Sequence, residues 1–98
     1  MRDFSIDLQI TAHEDIREIR DYLAIEAPAS VDRIINTIYD RIADLGRFPE
    51  SCAKFAPRPE FRRLVVGKYS VFYKVFPEQN LVRVFHVFHQ ARDTWNMV

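Results

Sequence analysis

The chain has 98 residues, 48% hydrophobic and 13% aromatic, with two glycines; this excludes disordered and collagen-like classes and leaves one compact domain spanning residues 1–98. No apolar run approaches the ~18 residues of a bilayer helix and Met1-Arg2-Asp3 has no signal-peptide layout, so a cytoplasmic protein with no membrane partner is expected. The formal net charge is zero, but residues 1–50 carry 6 basic and 11 acidic side chains and residues 51–98 carry 8 and 3: either the halves neutralise each other, or the second half faces an acidic peptide or nucleic acid.

Phe4, Ile6, Leu8 and Ile10 alternate with polar residues, the period of a strand with one wet face. Thr11 followed by Glu14 is a capping-box pattern that predicts a helix start. Ile16, Ile19 and Leu23 then share one helical face as far as Ala27. Pro28 suits the first turn of a second helix, whose stripe is Val31, Ile34, Ile35, Ile38, Ile42 and Leu45 and whose stop is Gly46 with Pro49. The two helices form an antiparallel hairpin.

Pro49 to Glu60 holds three prolines and no periodicity, which reads as an ordered loop. Phe61–Val66, Tyr69–Phe76 and Leu81–His89 are rich in branched and aromatic residues, with turns at Gly67-Lys68 and Pro77–Asn80. The expected fold is α+β: a strand, a two-helix antiparallel hairpin and a three-stranded antiparallel meander in one sheet, with the helices packed on one face. Alternation puts some of Phe61, Phe72, Phe76, Phe85 and Phe88 in that core and leaves others on a sheet face that needs a cover.

Few residues point to chemistry. His86 and His89, three apart on a strand, face opposite ways and do not make a metal pair, so no metal and no cofactor are expected. Cys52 is the single cysteine and has Lys54 two residues on, but no base beside it in sequence. Neither glycine belongs to a phosphate loop. What remains is a basic set, Lys54, Arg58, Arg62, Arg63, Lys68, Lys74, Arg83, His89 and Arg92, interleaved with aromatics. By strand parity Arg62 and Arg63 diverge, as do Arg83 and His86, while Arg83 and His89 share a face. Arginine forks there would clamp phosphate or carboxylate, or the charges simply solvate the wet face.

Arg62-Arg63-Leu64-Val65-Val66-Gly67-Lys68-Tyr69-Ser70-Val71-Phe72-Tyr73, Val87-Phe88-His89-Gln90-Ala91-Arg92-Asp93, Tyr22, and Ile42 to Pro49 stand in an order and spacing that resembles the RelE/ParE superfamily of toxins from type II toxin-antitoxin, or plasmid stabilisation, systems. The resemblance covers nearly the whole chain. It implies one of two activities: RelE-like members cut mRNA on the ribosome, whereas ParE-like members poison DNA gyrase by binding. In RelE-like nucleases the strand matching Tyr69–Tyr73 presents an arginine after its first aromatic residue, and here Ser70 stands there. Serine cannot supply the cation that a phosphorane transition state needs. The ending Thr94-Trp95-Asn96-Met97-Val98 also lacks the lysine or tyrosine of many such nucleases.

The resemblance therefore favours a ParE-like gyrase inhibitor causing growth arrest, neutralised by a cognate antitoxin that wraps it, with no catalytic residue. The expected partner-binding residues are Arg62, Arg63, Lys68, Arg83 and Arg92. The alternatives are a ribosome-dependent mRNA endonuclease using Arg62, His89 and Arg92, and a non-toxic antitoxin-binding relic. His89 is expected to be a satisfied, half-buried residue in the favoured reading.

Overall fold

The computed structural model describes residues 3–90. The first alternating segment forms β1 (Ser5–Leu8), and the chain turns directly into α1 (Ile10–Glu26). Ile10, expected on the strand, begins the helix and lies 73% exposed. The expected capping box does not form: Gln9 is the N-cap and makes no side-chain cap hydrogen bond. Thr11 Oγ1 instead donates to the Phe85 carbonyl at 2.6 Å, because a strand edge beside the helix needs that donor more than the helix end does.

Pro28–Ser30 is a 3₁₀ turn rather than the opening of the second α-helix, which runs as α2 from Val31 to Asp44. Proline's fixed φ and missing N–H suit the turn as well as a helix start. Behind α2, Gly46 crosses β1 closely. Its carbonyl accepts from Phe4 N at 2.7 Å, and a Cβ built there would sit 2.8 Å from the Phe4 carbonyl oxygen. Glycine is thus required by proximity, beyond marking the helix end.

β2 (Arg62–Val66), β3 (Tyr69–Phe76) and β4 (Leu81–His89) form the expected antiparallel meander. β1 joins it parallel to β4, giving one mixed sheet in the order β1-β4-β3-β2. The helical hairpin is the crossover that a parallel pair requires. Gly67 takes φ 57°, a left-handed conformation that closes the β2–β3 turn.

The helices cover one face of the sheet. Ile16, Ile19 and Leu23 of α1 and Ile35, Ile38 and Ile42 of α2 pack on Leu64, Val71, Tyr73, Val82, Val84 and Val87. Tyr73 is fully buried, and its hydroxyl donates to the Pro49 carbonyl at 3.1 Å. Burial, with the contact to Cys52, pushes this phenol well above its ordinary pKa. The opposite face carries a second cluster, Phe61, Phe72 and Phe88, with Phe55 and Phe85 packed against it. Contrary to the expectation from alternation, none of Phe61, Phe72, Phe76, Phe85 and Phe88 enters the hairpin-side core; Phe61, Phe72, Phe85 and Phe88 form a small aromatic core of their own on the opposite face, which the 49–60 loop helps cover through Phe55.

That loop is ordered by named bonds. Phe55 N donates to Phe61 O at 2.8 Å, Arg63 N to Ala53 O at 3.2 Å, and Lys54 bridges to Arg62. The contacts run along the outer edge of β2, satisfying backbone groups that an edge strand would otherwise expose.

Candidate functional site

One irregularity governs where the basic side chains point. Along the β3–β4 pair, Phe72 faces His86 but Tyr73 faces Val84, so Phe85 is an extra residue in β4. A β-bulge of this kind reverses the parity of everything beyond it. Val82 and Val84 enter the helix-side core before the bulge, and Val87 enters it after. Parity across β4 is therefore corrected: Arg83 and His86 lie on the same, open side of the sheet, and Arg83 and His89 lie on opposite sides.

The four expected partner-binding residues that are described, Arg62, Arg63, Lys68 and Arg83, do not form one surface. Arg62 shares the parity of the core residues Leu64 and Val66, and its guanidinium donates to the Cys52 carbonyl at 2.7 Å and lies 3.5 Å from Glu50. It holds the 49–60 loop. Arg63 faces the other way, as expected, with its Nε buried and without an acceptor. Lys68 is exposed on the β2–β3 turn. Arg83 is held by Asp7 of β1 at 2.8 Å and lies 5.4 Å from the centre of the Phe76 ring. Arg92, with Asp93 and the ending 94–98, lies outside the described residues.

On the open side, cations sit on aromatic rings. Lys74 Nζ lies 4.7 Å from the Phe61 ring centre and 5.2 Å from that of Phe85, within the range of cation–π attraction. Arg58 stands 5.3 Å from the same Phe61 ring and is paired with Glu60 at 2.8 Å. That hydrogen bond lowers the Glu60 pKa below its ordinary value.

The histidines have separate environments. His86 stacks on Phe88 with centroids 4.7 Å apart, and its Nδ1 lies 2.8 Å from Asp15 Oδ2. A carboxylate only accepts, so Nδ1 carries the proton. The same oxygen accepts from Val87 N at 3.0 Å. With Thr11, Asp15 thereby satisfies the β4 edge where β1, which pairs only as far as Val84, has ended. Burial nonetheless dominates over these bonds and raises the Asp15 pKa.

His89 faces the hairpin and meets the Tyr69 ring edge to face at 5.3 Å. The two line a groove of about 480 Å³ between the C-terminal end of α1, the first turns of α2 and the β2–β3 turn. Leu23, Ala27, Ile34, Ile38 and Val66 supply its apolar surface, with Tyr22, Arg33 and Lys68 alongside. Burial, and Tyr22 nearby, raise the Tyr69 pKa. Sequence reasoning flagged Lys68 and His89 for other reasons and missed Arg33. The available signal was that Arg33 immediately precedes the Ile34-Ile35 stripe, on the turn of helix that faces the end of the sheet.

A family model described as the ParE toxin of type II toxin-antitoxin system, parDE, matches residues 6–94. The chain belongs to the ParE toxin family. It is a ParE/RelE-type toxin of a type II toxin-antitoxin system, as the resemblance of its strand and hairpin segments implied. Among solved structures, the RelBE2 toxin-antitoxin complex from Mycobacterium tuberculosis is 22% identical, with a TM-score of 0.72, and the match covers 94% of this chain and 97% of that one. The chromosomal ParDE system from P. aeruginosa matches at 14% identity and a TM-score of 0.75, over 88% and 95% of the two chains. The isolated RelE toxin of E. coli matches at 14% identity and a TM-score of 0.64, over 96% and 93%. These likenesses establish the shared fold. No curated protein sequence matches the chain.

Proposed function

We propose that this ParE-family toxin acts in the cytoplasm by binding DNA gyrase and holding its cleaved DNA complex, and that a cognate antitoxin neutralises it. The observation that carries the reading is at Ser70. This side chain is 4% exposed on β3, flanked by Val65 of β2 and Phe88 of β4, and it stands where the RelE-like nucleases present a cation. Ser70 cannot stabilise the charge that develops when a phosphodiester is attacked by its own 2′-hydroxyl.

The separation of Arg62 from His89, the two remaining candidates among the described residues, supports binding over catalysis. Arg62 is opposite Tyr73 on β3, and His89 is opposite Tyr69 four residues away, about 13 Å along the strand. Arg62 is engaged with Cys52 and Glu50. A general acid and a phosphate clamp must meet around one phosphate, and these two do not.

The antitoxin part of the proposal is supported by the toxin-antitoxin assemblies among the solved structures of this fold. The test is to incubate the purified toxin with gyrase and supercoiled plasmid, with and without antitoxin. Accumulation of cleaved plasmid that antitoxin reverses is the expected result. Unaffected gyrase together with ribosome-dependent cleavage of mRNA would replace this reading with the RelE-like one. Absence of both activities, despite tight antitoxin binding, would leave the inert relic.

A further inference from the structure

We propose that the cavity lined by Tyr69, Arg33 and Lys68 is a binding site for a small aromatic carboxylate, whose rings lie on the apolar floor and whose charge is met by the two cations. The inference is independent of the gyrase reading and of how the antitoxin binds.

The floor is in place before any ligand arrives. Leu23 of α1, Ile38 of α2 and Val66 of β2 line the cavity at 5%, 0% and 5% exposure. All three belong to the hairpin-side core, so packing beneath them fixes their positions and a ligand orders nothing in reaching them. Tyr69 supplies one wall, its ring met edge to face by His89. The volume of about 480 Å³ falls within the roughly 300–1,000 Å³ of small-molecule sites, and the lining matches theirs: an apolar interior with a few polar groups converging on it.

The exposed rim selects the charge. Arg33 and Lys68 form no salt bridge among the described residues, while Arg20, Arg58, Arg62 and Arg83 all do. Arg33 stands in the first turn of α2, where the helix end adds to the positive potential. Glu26 is the one carboxylate in the lining. Two cations against one carboxylate leave one positive charge, which a monoanion neutralises.

The hydrogen-bonding groups point the same way. Burial raises the Tyr69 pKa, so its phenol remains a donor at neutral pH. Thr37 spends its hydroxyl proton on the Arg33 carbonyl at 2.7 Å. The planar fork of Arg33 matches a carboxylate at two points. A bare phosphate would leave the apolar floor uncovered, and a neutral hydrocarbon would leave both cations unmet.

The experiment titrates the full-length toxin with the fluorescent anion anilinonaphthalene sulfonate. The dye is then displaced, in separate arms, by naphthoate, by the neutral naphthalenemethanol, by inorganic phosphate and by the full-length antitoxin. The parent is compared with Arg33→Gln/Lys68→Gln, with Thr37→Trp, whose indole fills the cavity, and with Arg41→Gln. Arg41 is exposed on α2 beside Phe48 and away from the cavity, so it controls for overall charge. The expected result is one saturable site from which naphthoate displaces the dye, with naphthalenemethanol and phosphate weaker by about tenfold or more. Both cavity variants should lose about tenfold or more in naphthoate affinity, and Arg41→Gln should lose none. Naphthoate affinities unchanged in both cavity variants would overturn the proposal, as would equal displacement by the neutral analogue. Displacement by antitoxin but not by naphthoate would assign the cavity to a polypeptide alone and overturn it too. Arg33, Thr37, Arg41 and Lys68 are all exposed, so the variants fold, and far-ultraviolet circular dichroism checks each one. Plasmid cleavage by the same variants with gyrase reports separately on the gyrase reading.

Discussion

The two faces of the sheet are built on different chemistry. On the hairpin side, isoleucine, leucine and valine from both helices and three strands make a core that also takes in Tyr69 and the fully buried Tyr73, whose hydroxyl is spent on the Pro49 carbonyl. On the other side, phenylalanines are overlaid by Arg58, Lys74 and Arg83. The aliphatic face is where stability resides. The aromatic face combines burial with charge, and Arg58, Lys74 and Arg83 each lie against a ring there. The contrast teaches that a surplus of arginine and lysine in sequence does not make one basic surface, because bulge, turn and edge each send members of the set in different directions.

The largest expected effect tests the aliphatic side. Ile38 is 0% exposed beneath α2, and Ile38→Ala is expected to cost about 3 kcal/mol from lost burial and the cavity left behind. Urea unfolding measures it, and a loss under 1 kcal/mol would mean that the core collapses around the gap.

Next come two positions where the faces and edges are joined. Gly46→Ala places a methyl group 2.8 Å from the Phe4 carbonyl oxygen, and both partners are backbone; overpacking of this kind costs about 1–3 kcal/mol. The expected sign is a lowered Tm. Asp15→Ala removes the acceptor for both Val87 N and His86, at an expected cost of about 1–3 kcal/mol. Hydrogen exchange at the Val87 amide should rise with it.

Asp15→Asn sharpens the same point through pH. Asn keeps an acceptor oxygen for Val87 without the buried charge. The folded pKa of Asp15 is raised above its ordinary 3.8, so the parent holds that group's stabilising contribution in full below the unfolded pKa and loses it as pH rises through the folded value. Stability of the parent relative to Asp15→Asn should therefore be greatest in acid and fall toward neutrality. A difference that grows with pH would show that the bonds from His86 and Val87 outweigh desolvation.

The smallest effect belongs to the open face. Arg83 and Asp7 are 34% and 42% exposed, and ion pairs at that exposure contribute roughly 0–1 kcal/mol. Arg83→Ala should leave the unfolding midpoint nearly unchanged, and a larger loss would assign real packing to the guanidinium over Phe76.

Much of this architecture is legible in the sequence because it depends on neighbours in the chain. The α2 stripe from Val31 to Leu45 reads directly as a buried face, and the two-residue turn at Gly67-Lys68 reads as a hairpin because only glycine takes φ 57° there without strain. The site was harder to read. Tyr22, Arg33, Lys68 and His89 are far apart in the chain and share a groove only because the hairpin end meets the β2–β3 turn. Thr11 illustrates the opposite failure, since a correct local rule predicted a cap and the Phe85 carbonyl competed for the same hydroxyl.

By itself the sequence determined the number, kind and order of the elements, the divergence of Arg62 and Arg63, and the toxin family, since periodicity and motif order are properties of the chain alone. Only the tertiary structure decided that β1 lies parallel to β4, that the bulge at Phe85 turns His89 toward the helices and Arg83 away, and that Asp15 closes the β4 edge. Strand partners and bulges are chosen by which backbone groups would otherwise be buried unpaired, and that depends on residues more than 70 positions apart.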